Sequence, residues 1–205
     1  MYNSQTMAAK QYVPKARPYN FLIIIWLTIM EILKGEKISL RAVEPSDLDS
    51  LYLWENDTES WPSGANRAPL SRQLLWNYIQ NYRADIFSDR CLRLIITDNA
   101  ADNTPVGLVE LYDYDPRDRR AMLGIYVAKA SRRRGFAREA LALTADYARR
   151  VVDMHQLAVI VAEDNRESLR LFTDAGYKSS GKLRSWLRHD GLYHDAVIMQ
   201  LLFPY

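Results

Sequence analysis

The stretch MLGIYVAKASRRRGFAREA, Met122 to Ala140, reads as an apolar strand, a short basic loop and the start of a helix. Leu123, Ile125 and Val127 fall on one face of the strand, and Gly135 and Ala137 keep the turn slim enough for its backbone N–H groups to approach a ligand. The helix that follows presents unpaired amides and a positive dipole end. Arg132, Arg133 and Arg134 add charge suited to diphosphate oxygens. The pattern predicts an anion cradle for a phosphorylated carrier; the alternative is a basic helix start with solvated arginines. Neither G-x-x-x-x-G-K-[ST] nor G-x-G-x-x-G with a downstream acid occurs in the chain.

The surrounding chain bounds the possibilities. At 205 residues, 48% hydrophobic and 25% charged, it is long enough for one well-buried core. A net charge of +2 demands neither a nucleic-acid nor an anionic-membrane partner. Cys91 is the sole cysteine, which excludes an internal disulfide and a multi-cysteine zinc site and fits a reducing cytoplasm. No metal is expected, and Cys91, in an apolar run, reads as core. Lys10, Lys15 and Arg17 precede the apolar run Phe21 to Met30, which is too short to span a bilayer and lacks a small-x-small cleavage site. Residues 1–29 are therefore read as an extension ahead of a natural start at Met30, with a weak membrane-proximal anchor as the alternative, and residues 30–205 as one domain.

Lys37 to Val43 alternates as a strand, and Pro45 and Asp47 open a helix with Leu48, Leu51, Tyr52 and Trp54 on its apolar face. Residues 55–64 have no period and form a loop rich in acids, with Trp61 on the core. Ser71 caps a helix carrying Leu74, Leu75, Tyr78, Ile79 and Tyr82. Cys91 to Thr97 and Val106 to Tyr112 read as a hairpin, so three antiparallel strands precede the phosphate loop. The helix from Gly135 turns Ala140, Leu141, Leu143, Thr144, Tyr147 and Ala148 inward. Leu157 to Val161 is a short apolar strand suited to a place beside the central one. Asn165 caps a further helix that ends at Gly176, and Asp190-Gly191 joins a closing strand pair.

Two ordered motifs carry a family resemblance. Arg132-x-x-Gly135-x-Ala137 after a strand resembles the pyrophosphate-binding [QR]-x-x-G-x-[GA] signature of the GNAT acetyltransferases. Asn165-x-x-Ser168-Leu169-x-Leu171-Phe172-x-x-Ala175-Gly176-Tyr177 resembles the family's N-x-x-[AS]-x-x-[LF]-Y-x-x-x-G-[FY] segment. Gly107 to Leu111, Gly135 to Arg138 and Gly191 to Asp195 resemble its diamine and spermidine N-acetyltransferase branch and the related ribosomal-protein N-terminal acetyltransferases. The resemblance implies a mixed α/β (α+β) GNAT fold: a central, mostly antiparallel twisted sheet flanked by helices and splayed at the cofactor site. It implies acetyl-CoA as co-substrate, with the backbone of Ile125, Tyr126 and Val127 on the pantetheine arm. Arg132, Arg133, Arg134, Gly135, Phe136, Ala137 and Arg138 would hold the pyrophosphate, and Asn165, Ser168 and Phe172 would flank the thiol end. Many relatives carry a tyrosine where this chain has Phe172, which has no proton to give the departing thiolate. Water, Ser168 or Tyr177 is then the donor, or the site works by positioning and oxyanion stabilisation alone.

A lysine-like amine with a pKa of about 10.4 costs roughly 4–5 kcal/mol to deprotonate at neutral pH, against about 1–2 for an α-amine. A polyamine acceptor therefore needs more help from a base. Glu110 is the candidate base and cation holder; the alternative is a glutamate paired with an arginine on the open sheet face. Glu55, Asp57 and Glu59 make a candidate acidic rim. His189 and His194 are of the residue type suited to a charge change near neutrality but read as exposed hairpin residues, and His155 as a loop residue. The expected activity is acetyl transfer to a primary amine, a polyamine leading a protein N-terminus or an aminoglycoside. The rivals are a non-catalytic acyl-CoA-binding module and an RNA- or ribosome-binding protein using its arginines. The expected partner is a small-molecule amine or a peptide N-terminus, with no nucleic acid and no stable membrane insertion; a homo-oligomer is left open.

Overall fold

The structure is a computed structural model that describes residues 31–59 and 68–204. The readings of the 1–29 extension, of the run Phe21 to Met30 and of Trp61 lie outside these residues. In chain order come β1 (Ile38–Ala42), a 3-10 turn (Pro45–Asp47), α1 (Leu48–Glu55), α2 (Arg72–Asn81), α3 (Ile86–Asp89), β2 (Leu92–Asp98) and β3 (Thr104–Asp115). Then follow β4 (Arg120–Val127), α4 (Phe136–Arg150), β5 (Gln156–Ala162), α5 (Arg166–Asp174), β6 (Lys178–His189) and β7 (Leu192–Leu202). The strands form one sheet in the order β1-β2-β3-β4-β5-β7-β6, antiparallel throughout except between β4 and β5. This is the expected mixed α/β architecture.

Alternation along the strands separates two apolar layers. Val109, Leu111, Ala121 and Leu123 point to the larger one, where Phe136, Ala140, Leu141 and Ala148 of α4 cover them. Leu108 and Ile95 point to the other, under Leu51 and Trp54 of α1 and Ile79 of α2. Thr144, inside α4, is fully buried and returns its hydroxyl to Ala140 C=O at 2.7 Å, so it costs the core no unmet donor. Asp47 is also buried; both its oxygens accept from Arg41 at 2.7 Å, and one also accepts from Glu44 N–H. Ser71 caps α2 by accepting from Leu74 N–H, as its position predicts.

Expectations of burial fail at Leu74, at Cys91 and at the hairpin histidines, which are not exposed: the side chains of His189 and His194 are 22% and 25% accessible. Leu74 is 54% exposed, because the inward stripe of α2 runs through Leu75 and Ile79. Cys91 is not a core residue: it is half-buried just ahead of β2, and its thiol donates to Glu110 Oε1 at 3.1 Å.

The feature that positions the site is a parting of strands. β4 and β5 pair only over Arg120 to Met122, against Gln156 to Ala158. Beyond that, β4 stays on β3 while β5 continues along β7. The sheet thus opens into a cleft bordered by Leu123 to Val127 on one side and Val159 to Ala162 on the other.

Candidate active site

β4 presents ladder groups to this cleft. Ala128 N–H donates to Val106 C=O, and pairing continues as Val127 with Gly107 and Tyr126 with Leu108. In an antiparallel ladder this phase turns the even-numbered residues of β4 toward β3 and leaves Leu123, Ile125 and Val127 facing away. Ile125 and Val127 therefore keep free backbone groups along the cleft, apart from Val127 C=O, which accepts from Arg132 Nε at 2.9 Å. Tyr126 departs from expectation: its backbone is turned to β3. Its ring packs beside Trp54 at 5.9 Å, and its hydroxyl donates to Asp57 at 3.3 Å.

The basic loop closes one end of the cleft. Gly135 has φ +87°, a conformation that favours glycine, and it caps α4. Among the described residues, the six consecutive N–H groups from Arg133 to Arg138 have no acceptor in the chain. Such a row at the positive end of a fifteen-residue helix is an anion site in waiting. The arginines divide their work. Arg134 is drawn back onto nearly buried Asp98 at 2.8 Å and lies over the Phe136 ring, while Arg132 staples the loop to β4. Arg133 is exposed and only loosely paired with Glu167 at 3.7 Å, and Arg138 is exposed with no ion pair among the described residues. The backbone thus makes the cradle, Arg133 and Arg138 are free to supply charge, and Arg132 and Arg134 shape the loop. Lys37 is a cation that sequence reasoning missed: a Cβ on Gly135 would sit 3.6 Å from its Nζ.

On the opposite sheet face Arg93 gathers the acids. Its guanidinium meets Glu55 at 2.7 Å and Glu110 at 3.2 Å, and it lies 5.1 Å from the centre of the Tyr78 ring. Register makes this possible: Arg93 is opposite Glu110, and Glu110 is opposite Gly124. Burial pulls the Arg93 pKa down, but Glu110, Tyr78 and Glu55 outweigh it and hold the guanidinium above its usual value. Burial pushes the Cys91 thiol up to about 12, helped by the Glu110 carboxylate, and Tyr78 to about 12. Glu110 Oε1 takes Cys91 and two Arg93 contacts, whereas Oε2 has one long contact at 3.4 Å and is the less committed acceptor. Gly124 beside it carries no side chain to cover that oxygen; the nearest atom to a Cβ there would be a Tyr112 ring carbon at 3.8 Å. Each acid of the expected rim is engaged: Glu55 meets Arg93, Asp57 accepts from Tyr126, and Glu59 pairs with Lys129 at 2.5 Å.

At the far side of the cleft, Asn165 accepts from Ser168 N–H at 3.0 Å and so caps α5. Phe172 is 3% exposed and meets Tyr177 edge-on at 5.1 Å. Tyr177 is no better placed as a proton donor: it is 2% exposed, and burial raises its pKa. Both rings face the core. Glu110 is paired with an arginine, as the alternative reading has it, but that reading names no particular arginine; Tyr78 reads from sequence only as an inward-facing helix residue, and Lys37 only as the start of a strand.

Residues 37–178 match the Acetyltransferase (GNAT) domain family. The chain belongs to this family: it is an N-acetyltransferase, and acetyl-CoA is its acyl donor. Over 168 residues it is 28% identical to spermidine N(1)-acetyltransferase of Vibrio cholerae, covering 82% of this chain and 94% of that one. It is also 28% identical over 172 residues to the putative ribosomal N-acetyltransferase YdaF of Bacillus subtilis, covering 82% and 92%. The crystal structure of the Vibrio cholerae spermidine enzyme in complex with CoA and spermine superposes with a TM-score of 0.72 at 25% identity, covering 82% of this chain and 96% of that one.

Proposed function

We propose that the acceptor is a polyamine and that the Glu55–Arg93–Glu110 cluster receives it. The observation that carries this reading is the Glu110 carboxylate, whose Oε2 keeps a single long contact to Arg93 at 3.4 Å and lies at the register position opposite Gly124. The similarity to a spermidine N(1)-acetyltransferase supports the same acceptor class.

The donor's pyrophosphate is assigned to the amides of Arg133 to Arg138, with Arg133, Arg138 and Lys37 supplying charge. The pantetheine arm is assigned to the cleft-facing backbone of Ile125 and Val127. Asn165 and Ser168 set the start of α5 at the thiol end, and Phe172 supports it from the core. The amine nitrogen attacks the thioester carbonyl carbon, and the C–N bond forms as the C–S bond breaks. Glu110, directly or through one water, takes the proton the amine gives up. With phenylalanine at position 172, the thiolate is protonated by water rather than by a phenol.

The test is a split between rate and binding. Glu110→Gln lowers kcat with unchanged CoA affinity, and Glu55→Gln raises KM for spermidine. Parental constants in both variants would remove the cluster from the acceptor site.

A further inference from the structure

Away from Arg93 and the phosphate loop, three metal-ligating side chains converge where the β6–β7 turn lies beside the start of α5. Asp164 precedes the cap residue Asn165, His189 ends β6, and His194 lies on β7 opposite Leu187. One donor atom from each lies within 4.8 Å of the others.

The spacing fits an ion better than a hydrogen bond. His194 Nδ1 is 3.6 Å from Asp164 Oδ2, too long for a hydrogen bond. Two donors on one tetrahedral ion with bonds near 2.1 Å stand about 3.4 Å apart. His194 Nε2 is enclosed, and neither ring nitrogen has a hydrogen bond among the described residues. The ring, 25% exposed, therefore has no hydrogen bond to give up, and Nδ1 is the nitrogen it turns to Asp164. His189 stacks on this ring, with centroids 3.5 Å apart and planes 10° from parallel. Its Nδ1 faces Asp190 Oδ2 at 3.4 Å, the arrangement in which a carboxylate orients a metal-binding imidazole and leaves Nε2 for the ion. Of the nearby cations, Lys182 is occupied by Glu163 and Asp195 at 2.8 Å, and Arg166 lines the same pocket as Asp164 and His194.

We propose that Asp164, His189 and His194 bind one divalent transition-metal ion of the zinc class, and that the ion fastens the β6–β7 turn to the loop leading into α5. Two imidazoles and one carboxylate suit zinc, cobalt or nickel and not the oxygen-seeking magnesium or calcium. The parallel ring stack is the metal-free arrangement. Rotation about the Cβ–Cγ bonds converges the ring planes on the ion, and water completes its coordination.

The test uses the full chain, freed of any histidine tag and stripped with chelator. Cobalt(II) titration is followed by visible absorption and zinc by calorimetry. One equivalent binds at micromolar metal, with the d–d bands of a low-coordinate cobalt site. His194→Ala and Asp164→Asn weaken binding by at least about tenfold, while His155→Ala, which removes the remaining histidine of the chain, leaves it unchanged. CoA binding checks that each variant is folded. Absence of saturable one-to-one binding by the parent chain overturns the proposal whatever the variants do, as does parental affinity in a folded His194→Ala.

Discussion

At the scale of single residues, Arg93 decides most. Its guanidinium keeps Glu55 and Glu110 together at 14% and 24% side-chain exposure, where two carboxylates alone would repel. Arg93→Met leaves them facing each other and costs about 2–3 kcal/mol, below the range for fully buried pairs because water still reaches the acids. A shift in the urea midpoint measures it. Cys91 offers a chemical check on the same cluster. With the thiol raised from 9.0 to about 12, its thiolate fraction at pH 8 is on the order of a thousandth of a free cysteine's. Iodoacetamide should therefore leave the folded protein nearly unmodified at pH 8 and label it readily in urea. The sign for stability follows. Because the folded thiol titrates above the unfolded one, its contribution is whole below about pH 9 and fades as pH rises toward 12. Glu110 was legible from strand alternation alone, since Val109 and Leu111 are plainly core. Its partner was not, because pairing depends on register across a hairpin, which single-strand patterns leave open.

At the scale of elements, the phosphate turn and the parted strands work together. Gly135→Asp adds a Cβ at φ +87° and a negative charge beside six unpaired amides, so CoA affinity should fall at least about a hundredfold, roughly 2.7 kcal/mol. Calorimetry reads this directly, and parental affinity would remove the loop from the donor site. Gly107→Ala tests the neighbouring strand, since its Cβ would collide with the backbone carbonyl oxygen of Tyr126. The β3–β4 backbone must shift, and a loss of more than about 2 kcal/mol in unfolding free energy is expected. The turn was readable because glycine, arginines and a helix start are local signals. The cleft was not readable from the residues themselves: Leu123 to Val127 and Val159 to Ala162 are equally apolar, so the pattern implies continuous pairing. It was the family resemblance that implied a splayed sheet. Lys37 was hidden for a simpler reason, lying nearly a hundred residues from the glycine it stands beside.

At the scale of the molecule, a net charge of +2 conceals separated charges. Glu55, Asp57 and Glu110 lie on one sheet face, while Arg133, Arg138 and Lys37 surround the start of α4. The element order that organises this was legible because two motifs sit at fixed places on a regular alternation of strands and helices. The separation itself exists only once the sheet is folded. A polycationic acceptor should feel it: KM for spermidine rises with salt as the Debye length shrinks from about 10 Å at 0.1 M to about 3 Å at 1 M, whereas KM for a peptide α-amine changes little. The measurement that bears most directly on the account is acetyl-CoA-dependent release of free thiol with spermidine, putrescine, N-terminal peptides and aminoglycosides offered in parallel. Turnover concentrated on the polyamines is the predicted result. Turnover confined to peptides or aminoglycosides, with none on spermidine, would contradict the assignment of the Arg93 cluster as a polycation site.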